Sequence, residues 1–157
     1  MTRPAIRQAL PEDFSEVMRL MRLAYEENGA ANVDWGAVEL AVIAAINGDR
    51  SALGVIDCDN GLCGLILLHF CEVWYSREIM LEELVAFVQE EHRRRHNARA
   101  LLEFARSCAD RLQVPLLVGV ISNERTQAKV RLYRRIFGEP AGAFFLYGRK
   151  TGQRGDG

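Results

Sequence analysis

At 157 residues the chain is long enough for one domain with a sizeable core. Its 49% hydrophobic and 26% charged content is that of a globular protein, and a net charge of −1 excludes a generic nucleic-acid binder. No apolar run reaches the ~18 residues a membrane span needs, and no secretory leader is visible at "MTRPAIRQAL", so a cytoplasmic location is expected.

In chain order, "AIRQAL" reads as a short first strand. Pro11 suits a first helical turn, with Glu12 and Asp13 beside it to complement the helix dipole. Phe14, Val17, Met18, Met21 and Tyr25 then share one face at spacings of three and four, and Gly29 lies just past the end. A second helix is predicted from Trp35 to Ile46. "SALGVID" is a strand, "CDNG" a hairpin-type turn, and "LCGLILLHFCEVW" a central strand buried on both faces. "REIMLEELVAFV" is a further strand, entered through the loop "WYSRE". A helix from about Asn97 places Ala98, Leu101, Leu102, Ala105, Ala109 and Leu112 on one stripe. "PLLVGVI" is a strand, "TQAKVRLYRRIFG" a short helix, and "GAFFLYG" a last strand. The expected class is α/β, a central mixed sheet flanked by helices in the order β-α-α-β-β-β-α-β-α-β. Residues 1–150 read as a single domain, and the polar, glycine-rich residues 151–157 as a disordered tail.

The four cysteines, 58, 63, 71 and 108, contain no CxxC pair, and His69 is the histidine nearest the first three in sequence. The spacing argues against zinc, so no metal is expected and the four are read as buried free thiols of a reducing compartment.

The stretch "EEHRRRHNARALLEFA" breaks a rule. A structural helix prefers acids in its first turn, where the dipole is positive. Here Arg93, Arg94, Arg95 and Arg99 cluster at a helix start, beside His96, Asn97 and Ala98. Free N–H groups at a helix start bind anions, phosphates especially, and arginine adds bidentate contacts. An external anion on this turn accounts for the charge.

These residues resemble the pyrophosphate-binding motif of the GNAT superfamily of acyl-CoA-dependent N-acyltransferases, Q/R-x-x-G-x-G/A. Arg93 takes the first place, His96 the first glycine place and Ala98 the last, and "RALLEFA" matches the helix that follows. "TQAKVRLYRRIFGEP" resembles the family's second signature, with Tyr133 and Gly138 near their places and Thr126, or else Asn123, for the usual asparagine. The resemblance covers about residues 4–150. It implies the GNAT fold, acetyl-CoA as co-substrate and an amine acceptor. It places the coenzyme against Phe87, Val88, Arg93, Arg94, Arg95, His96, Asn97, Ala98, Arg99, Thr126 and Tyr133. A homodimer through the last strands is also implied. Histidine in the glycine place departs from the motif, but histidine tolerates the left-handed region better than most residues.

Acyl transfer from a thioester to an amine needs a polarised carbonyl, a base for the amine and a proton for the leaving thiolate. The resemblance assigns the carbonyl contact to the backbone N–H of Phe87 or Val88 and the proton to Tyr133. Glu82 and Glu83 open the same strand. Alternation sets Glu82 on the face of Leu84, Ala86 and Val88, and Glu83 on the other. The resemblance makes Glu82 the first candidate base, with Glu83 and water as alternatives. Trp74, Tyr75, Trp35 and Tyr25 are candidates for an acceptor pocket. The expected function is transfer of an acetyl group from acetyl-CoA to a primary amine. The rivals are a non-catalytic coenzyme A-binding module and a nucleic-acid-associated protein, whose basic clusters would grip phosphodiesters.

Overall fold

The computed structural model describes residues 5–122 and 125–148, and Arg94 and Arg95 by backbone alone. Asn123 and the tail 151–157 lie outside the described residues. Strand β1 (Ile6–Gln8) leads to a 3-10 turn over Pro11–Asp13, closed by the Leu10 N–H donating to the Asp13 carboxylate at 2.7 Å. Helix α1 (Phe14–Asn28) buries Val17, Met18, Leu20, Met21 and Ala24. It stops at Gly29, whose N–H donates to the Tyr25 carbonyl. A Cβ at position 29 would stand 2.5 Å from that oxygen, so only glycine fits. Helix α2 (Trp35–Ile46) starts where Asp34 accepts the Ala37 N–H at 3.2 Å.

Strands β2 (Ser51–Cys58), β3 (Gly61–Glu72) and β4 (Ile79–Val88) form an antiparallel meander on β1. A 3-10 turn over Glu90–Arg95 enters helix α3 (Asn97–Leu112). Strand β5 (Leu116–Leu117) then lies parallel to β4, and helix α4 (Thr126–Phe137) follows. The sheet order is β1-β2-β3-β4-β5. Among the described residues no helix is long and apolar enough to cross a membrane.

Two apolar layers sandwich the sheet. On one face α1 and α2 pack Leu20, Met21 and Val42 against Leu53, Leu65, Leu67 and Phe87. On the other, α3 packs Leu101, Leu102 and Ala105 against Ile56, Ile66, Leu81 and Val88. At Gly54 on β2 a Cβ would come within 2.7 Å of the Phe104 ring, so the missing side chain lets α3 lie close to the sheet.

Three expectations are corrected. "PLLVGVI" contributes only Leu116 and Leu117 to the sheet, paired with Leu81 and Glu82. "GAFFLYG" forms no strand: with β5 ending at Leu117 there is no long edge to take its backbone groups, and Phe144, Phe145 and Tyr147 are 92%, 94% and 100% exposed. The third concerns the cysteines. Cys58 and Cys63 are disulfide-linked, because the β2–β3 hairpin brings their Cα atoms to 5.8 Å; Cys71 and Cys108 are free.

Two bulges interrupt the ladders. Leu67 pairs with Val85 but Leu68 pairs with Glu83, leaving Leu84 as an extra residue on β4. Ile56 pairs with Gly64 and Asp57 with Leu62, leaving Cys63 as an extra residue on β3. Each bulge shifts the side-chain alternation by one residue.

Candidate active site

A cleft of ≈ 190 Å³ opens between the C-terminal half of β4, the start of α3 and one face of α4. Ala86, Phe87 and Val88 form its sheet wall. Ala98, Leu101 and Leu102 come from α3, and Ala128, Lys129, Leu132 and Tyr133 from α4; Glu27, Arg93 and Arg125 stand at its rim. β5 leaves β4 after Glu82, so the cleft occupies the place a continued parallel strand would have filled.

The turn into α3 leaves a helix start with free N–H groups at the end of the cleft. His96 sits at φ 61°, ψ 11°, in the left-handed region that a glycine would ordinarily fill, and its exposed position costs no core packing. The first N–H groups of α3 have no acceptor within the helix, and Ala98 keeps the cleft side of that turn small. Asn97 is only 3% exposed; its side chain donates to the His92 carbonyl at 3.0 Å and so holds the turn closed. Arg93 is held at the rim by three contacts. Its Nε donates to the Val88 carbonyl at 2.9 Å, its guanidinium pairs with Glu27, and it lies 5.7 Å from the Phe87 ring centroid.

The ladder decides which backbone group faces the cleft. The Gln89 N–H donates to the Cys63 carbonyl at 2.9 Å. Antiparallel pairs alternate between bonded and unbonded, so Phe87 bonds across to Leu65 and Val88 turns its N–H and C=O away from β3. Of the two residues expected to offer an N–H, Val88 is the one so oriented.

The Leu84 bulge corrects the assignment of the acids. Without it Glu82 would face α3 and α4; with it Glu82 turns to the α1–α2 side and pairs with His69 across the strand at 2.8 Å. Glu82 therefore does not reach the cleft. Glu83 lies on the cleft side of the sheet instead, next to Tyr133 of the cleft wall, with both carboxylate oxygens 2.9 Å from the Tyr133 hydroxyl, which donates to them. Burial raises the Glu83 carboxyl to about 7, while the Tyr133 hydrogen bond and the nearby Lys129 pull the other way. Burial also raises Tyr133 well above the usual phenol range, and the Glu83 charge and hydrogen bond add to it. Lys129 is lowered, first by burial and then by Arg93 and Arg125, against the opposing pull of Glu27 and Glu83. Tyr133 thus holds its proton near neutrality, while Glu83 shares a pH range with proton transfer.

The remaining expected residues scatter. Thr126 spends its hydroxyl on the Ser122 carbonyl at 2.9 Å, at the entrance to α4. Arg99 is exposed and pairs with Glu103 at 2.8 Å. The side chains of Arg94 and Arg95 lie outside what is described. The aromatic pocket does not assemble: Trp74 is 95% exposed and Tyr75 also faces outward, while Tyr25 and Trp35 stack edge-on at 6.3 Å against the first core layer. His92 gathers with Cys58 and Cys63, ligand-type atoms of all three lying within 4.8 Å. Glu27 and Arg125 were not anticipated; neither carries a sequence signal beyond its charge.

No protein-family model matches the chain, and no curated protein matches it by sequence. Solved structures do resemble it. AAC(6')-Iy, in complex with the bisubstrate analog CoA-S-monomethyl-acetylneamine, superposes with a TM-score of 0.71 at 15% identity over 95% of this chain and 99% of that one. The aminoglycoside acetyltransferase meta-AAC0020, from an uncultured soil metagenomic sample, gives 0.68 at 16% identity over 93% and 96%. A ribosomal-protein-alanine N-acetyltransferase from Brucella melitensis biovar Abortus 2308 gives 0.68 at 12% over 94% and 100%. The chain has the fold of the GNAT-type acetyltransferases.

Proposed function

We propose that the protein is a GNAT-type N-acetyltransferase moving an acetyl group from acetyl-CoA to a primary amine, with Tyr133 and Glu83 as its proton-transfer pair. The observation that carries this is the half-buried Tyr133–Glu83 hydrogen bond, its phenol on the wall of a cleft that ends at a helix start. The residues fit the co-substrate. Diphosphate oxygens accept from the first N–H groups of α3, and Arg93 stands beside them. The Val88 N–H is oriented to polarise a thioester carbonyl lying along β4. Glu83, ionised, takes a proton from the attacking amine. The new C–N bond forms as the C–S bond breaks, and Tyr133 gives its proton to the departing thiolate. The proton on Glu83 then crosses to the phenolate through their hydrogen bond, and both groups return to their starting states.

The acceptor is an amine small enough to reach Glu83. Two of the similar structures are aminoglycoside acetyltransferases and one is a ribosomal-protein-alanine acetyltransferase, so polyamino sugars and peptide N-termini are the first amines to offer. A homodimer belongs to this reading: the exposed Phe144–Tyr147 segment is available to a second copy, and sedimentation across a concentration series reads it. The activity test follows thiol release from acetyl-CoA against an amine panel, with calorimetric titration of coenzyme A alongside. The expected result is saturable binding and acceptor-dependent thiol release. Absence of both removes the reading; binding without release against every amine replaces it with a coenzyme-binding module.

A further inference from the structure

The chemistry above leaves one reactive cluster unused. Cys58 ends β2, and the bulge on β3 turns Cys63 toward the α3 face, where it is buried among Ile56, Ile66 and Val88. Three contacts tie this disulfide-linked pair to the turn into α3. The Cys63 carbonyl accepts the Gln89 N–H at 2.9 Å. The Asn97 side-chain nitrogen that holds the His92 carbonyl also lies 3.9 Å from Cys63 Sγ. His92 Nδ1 is 3.7 Å from Cys58 Sγ. The disulfide itself joins the two sulfurs beneath the turn. Cys58 is half-buried and Cys63 buried, so Cys58 is the more accessible of the two to a small reagent.

We propose that Cys58 and Cys63 form a reversible dithiol–disulfide site, exchanged by glutathione-type thiols and disulfides, whose state sets the shape of the turn over residues 89–97 and through it the affinity for coenzyme A. The second half of this statement rests on the turn being the coenzyme's diphosphate site. In the reducing direction a glutathione thiolate attacks Cys58 Sγ, the Cys58–Cys63 bond breaks, and Cys63 leaves as a thiolate beside the Asn97 amide. A second glutathione thiolate attacks the glutathione sulfur of the mixed disulfide and releases glutathione disulfide and the Cys58 thiolate beside His92. Two electrons pass from two glutathiones to the pair, and their two protons end on the two cysteines. Free thiols cannot stay at bonding distance. Their separation presses on the Asn97 amide, which holds the turn through the His92 carbonyl, and on the His92 ring carried by the same turn. The disulfide state keeps the turn as described, and the dithiol state loosens it.

The test uses the whole chain with Cys71→Ser, so that only the buried Cys108 remains beside the pair. Samples are equilibrated in glutathione buffers of graded ratio, and the 58–63 linkage is read by mass spectrometry. Amide hydrogen exchange of residues 89–97 and coenzyme A titration follow on the fully oxidised and fully reduced forms. Reversible exchange of the pair is expected, with about tenfold faster amide exchange in the reduced form. Coenzyme A is expected to bind the reduced form about five- to tenfold more weakly. Cys58→Ser should behave as the reduced form in every buffer; if it does not fold, the wild-type pair of states carries the same comparison. Identical amide exchange in the two states overturns the proposal. So does chelator-sensitive zinc held by the two thiols and His92, which would make the cluster a metal site. Redox-dependent amide exchange with no coenzyme A binding in either state upholds the coupling to the turn and removes the coenzyme reading instead.

Discussion

Asp13 and Glu83 are two carboxylates held by hydrogen bonds, and their surroundings drive them in opposite directions. Asp13 meets a charge. The Arg7 guanidinium reaches its two oxygens at 2.7 and 3.1 Å while also gripping Asp57, and the Leu10 N–H adds a further donor. Arg7 holds Asp13 below the usual carboxylate range, and the two aspartates raise Arg7 in turn. Glu83 meets a neutral phenol, and desolvation outweighs the hydrogen bond. The first arrangement fixes charges and joins β1, the turn after it and β2. The second sets a carboxyl that titrates near 7 against a phenol that keeps its proton. The charge of the donor, rather than the number of hydrogen bonds, separates the two carboxylates.

The largest effect should come from breaking the Tyr133–Glu83 pair. Tyr133→Phe removes one hydroxyl from a packed ring and is expected to keep the fold and the coenzyme affinity while turnover falls roughly 10²-fold or more. Glu83→Gln should lose a similar factor, and Glu82→Gln almost none, since Glu82 faces His69. Steady-state rates of the three variants check the assignment; a slow Glu82→Gln and a fast Glu83→Gln would reverse it.

Breaking the Arg7–Asp13 pair should act on stability alone. Asp13→Asn is expected to cost about 1–2 kcal/mol in denaturant unfolding, a charge-assisted bond discounted for the exposure of Arg7, with turnover unchanged. The pH dependence sharpens the contrast. Asp13 has its folded value lowered, so its contribution is present above the unfolded carboxylate range and is lost as pH falls through the folded value. Glu83 has its folded value raised to about 7, so its contribution is present below the unfolded value and is lost as pH rises through 7. Glu83→Gln should therefore raise the melting temperature at pH 8 and leave it nearly unchanged at pH 4. Over the same range turnover of the unmodified protein should rise as Glu83 ionises near pH 7. The smallest effect is expected at His96. His96→Gly relieves a left-handed side chain and should change coenzyme A affinity by less than tenfold, below ~1.4 kcal/mol. A large gain on titration would show that the imidazole covers the helix start.

Much of this was legible in the chain. Trp35–Ile46 matches the expected second helix at both ends, since Asp34 is a strong cap and "NGD" a strong stop. The helix at Asn97 and the left-handed turn before it followed from the arginine run and the motif. The assignment of the base failed for a physical reason. Alternation counts residues, and the Leu84 bulge adds one without a glycine or proline to mark it. A clue was present: Leu81 is apolar in one phase, Ala86 and Val88 in the other, and two successive glutamates cannot both face solvent in a regular strand. The Cys58–Cys63–His92 cluster was invisible because His92 comes from beyond β4, 29 positions after Cys63 (92 − 63). The strand at 142–148 was read from composition, but a strand also needs a neighbour, and β5 is too short to be one.

Gly54 lies outside the cleft, yet it sets the stand-off of α3. The Phe104 ring, midway along that helix, rests where a methyl group would be, and the same helix starts at the turn after His96. Gly54 therefore works as a shim. A one-carbon change there must displace the ring or the helix that carries it, so under the proposed reading the hold on a diphosphate is open to adjustment from inside the sheet with every residue of the turn unchanged.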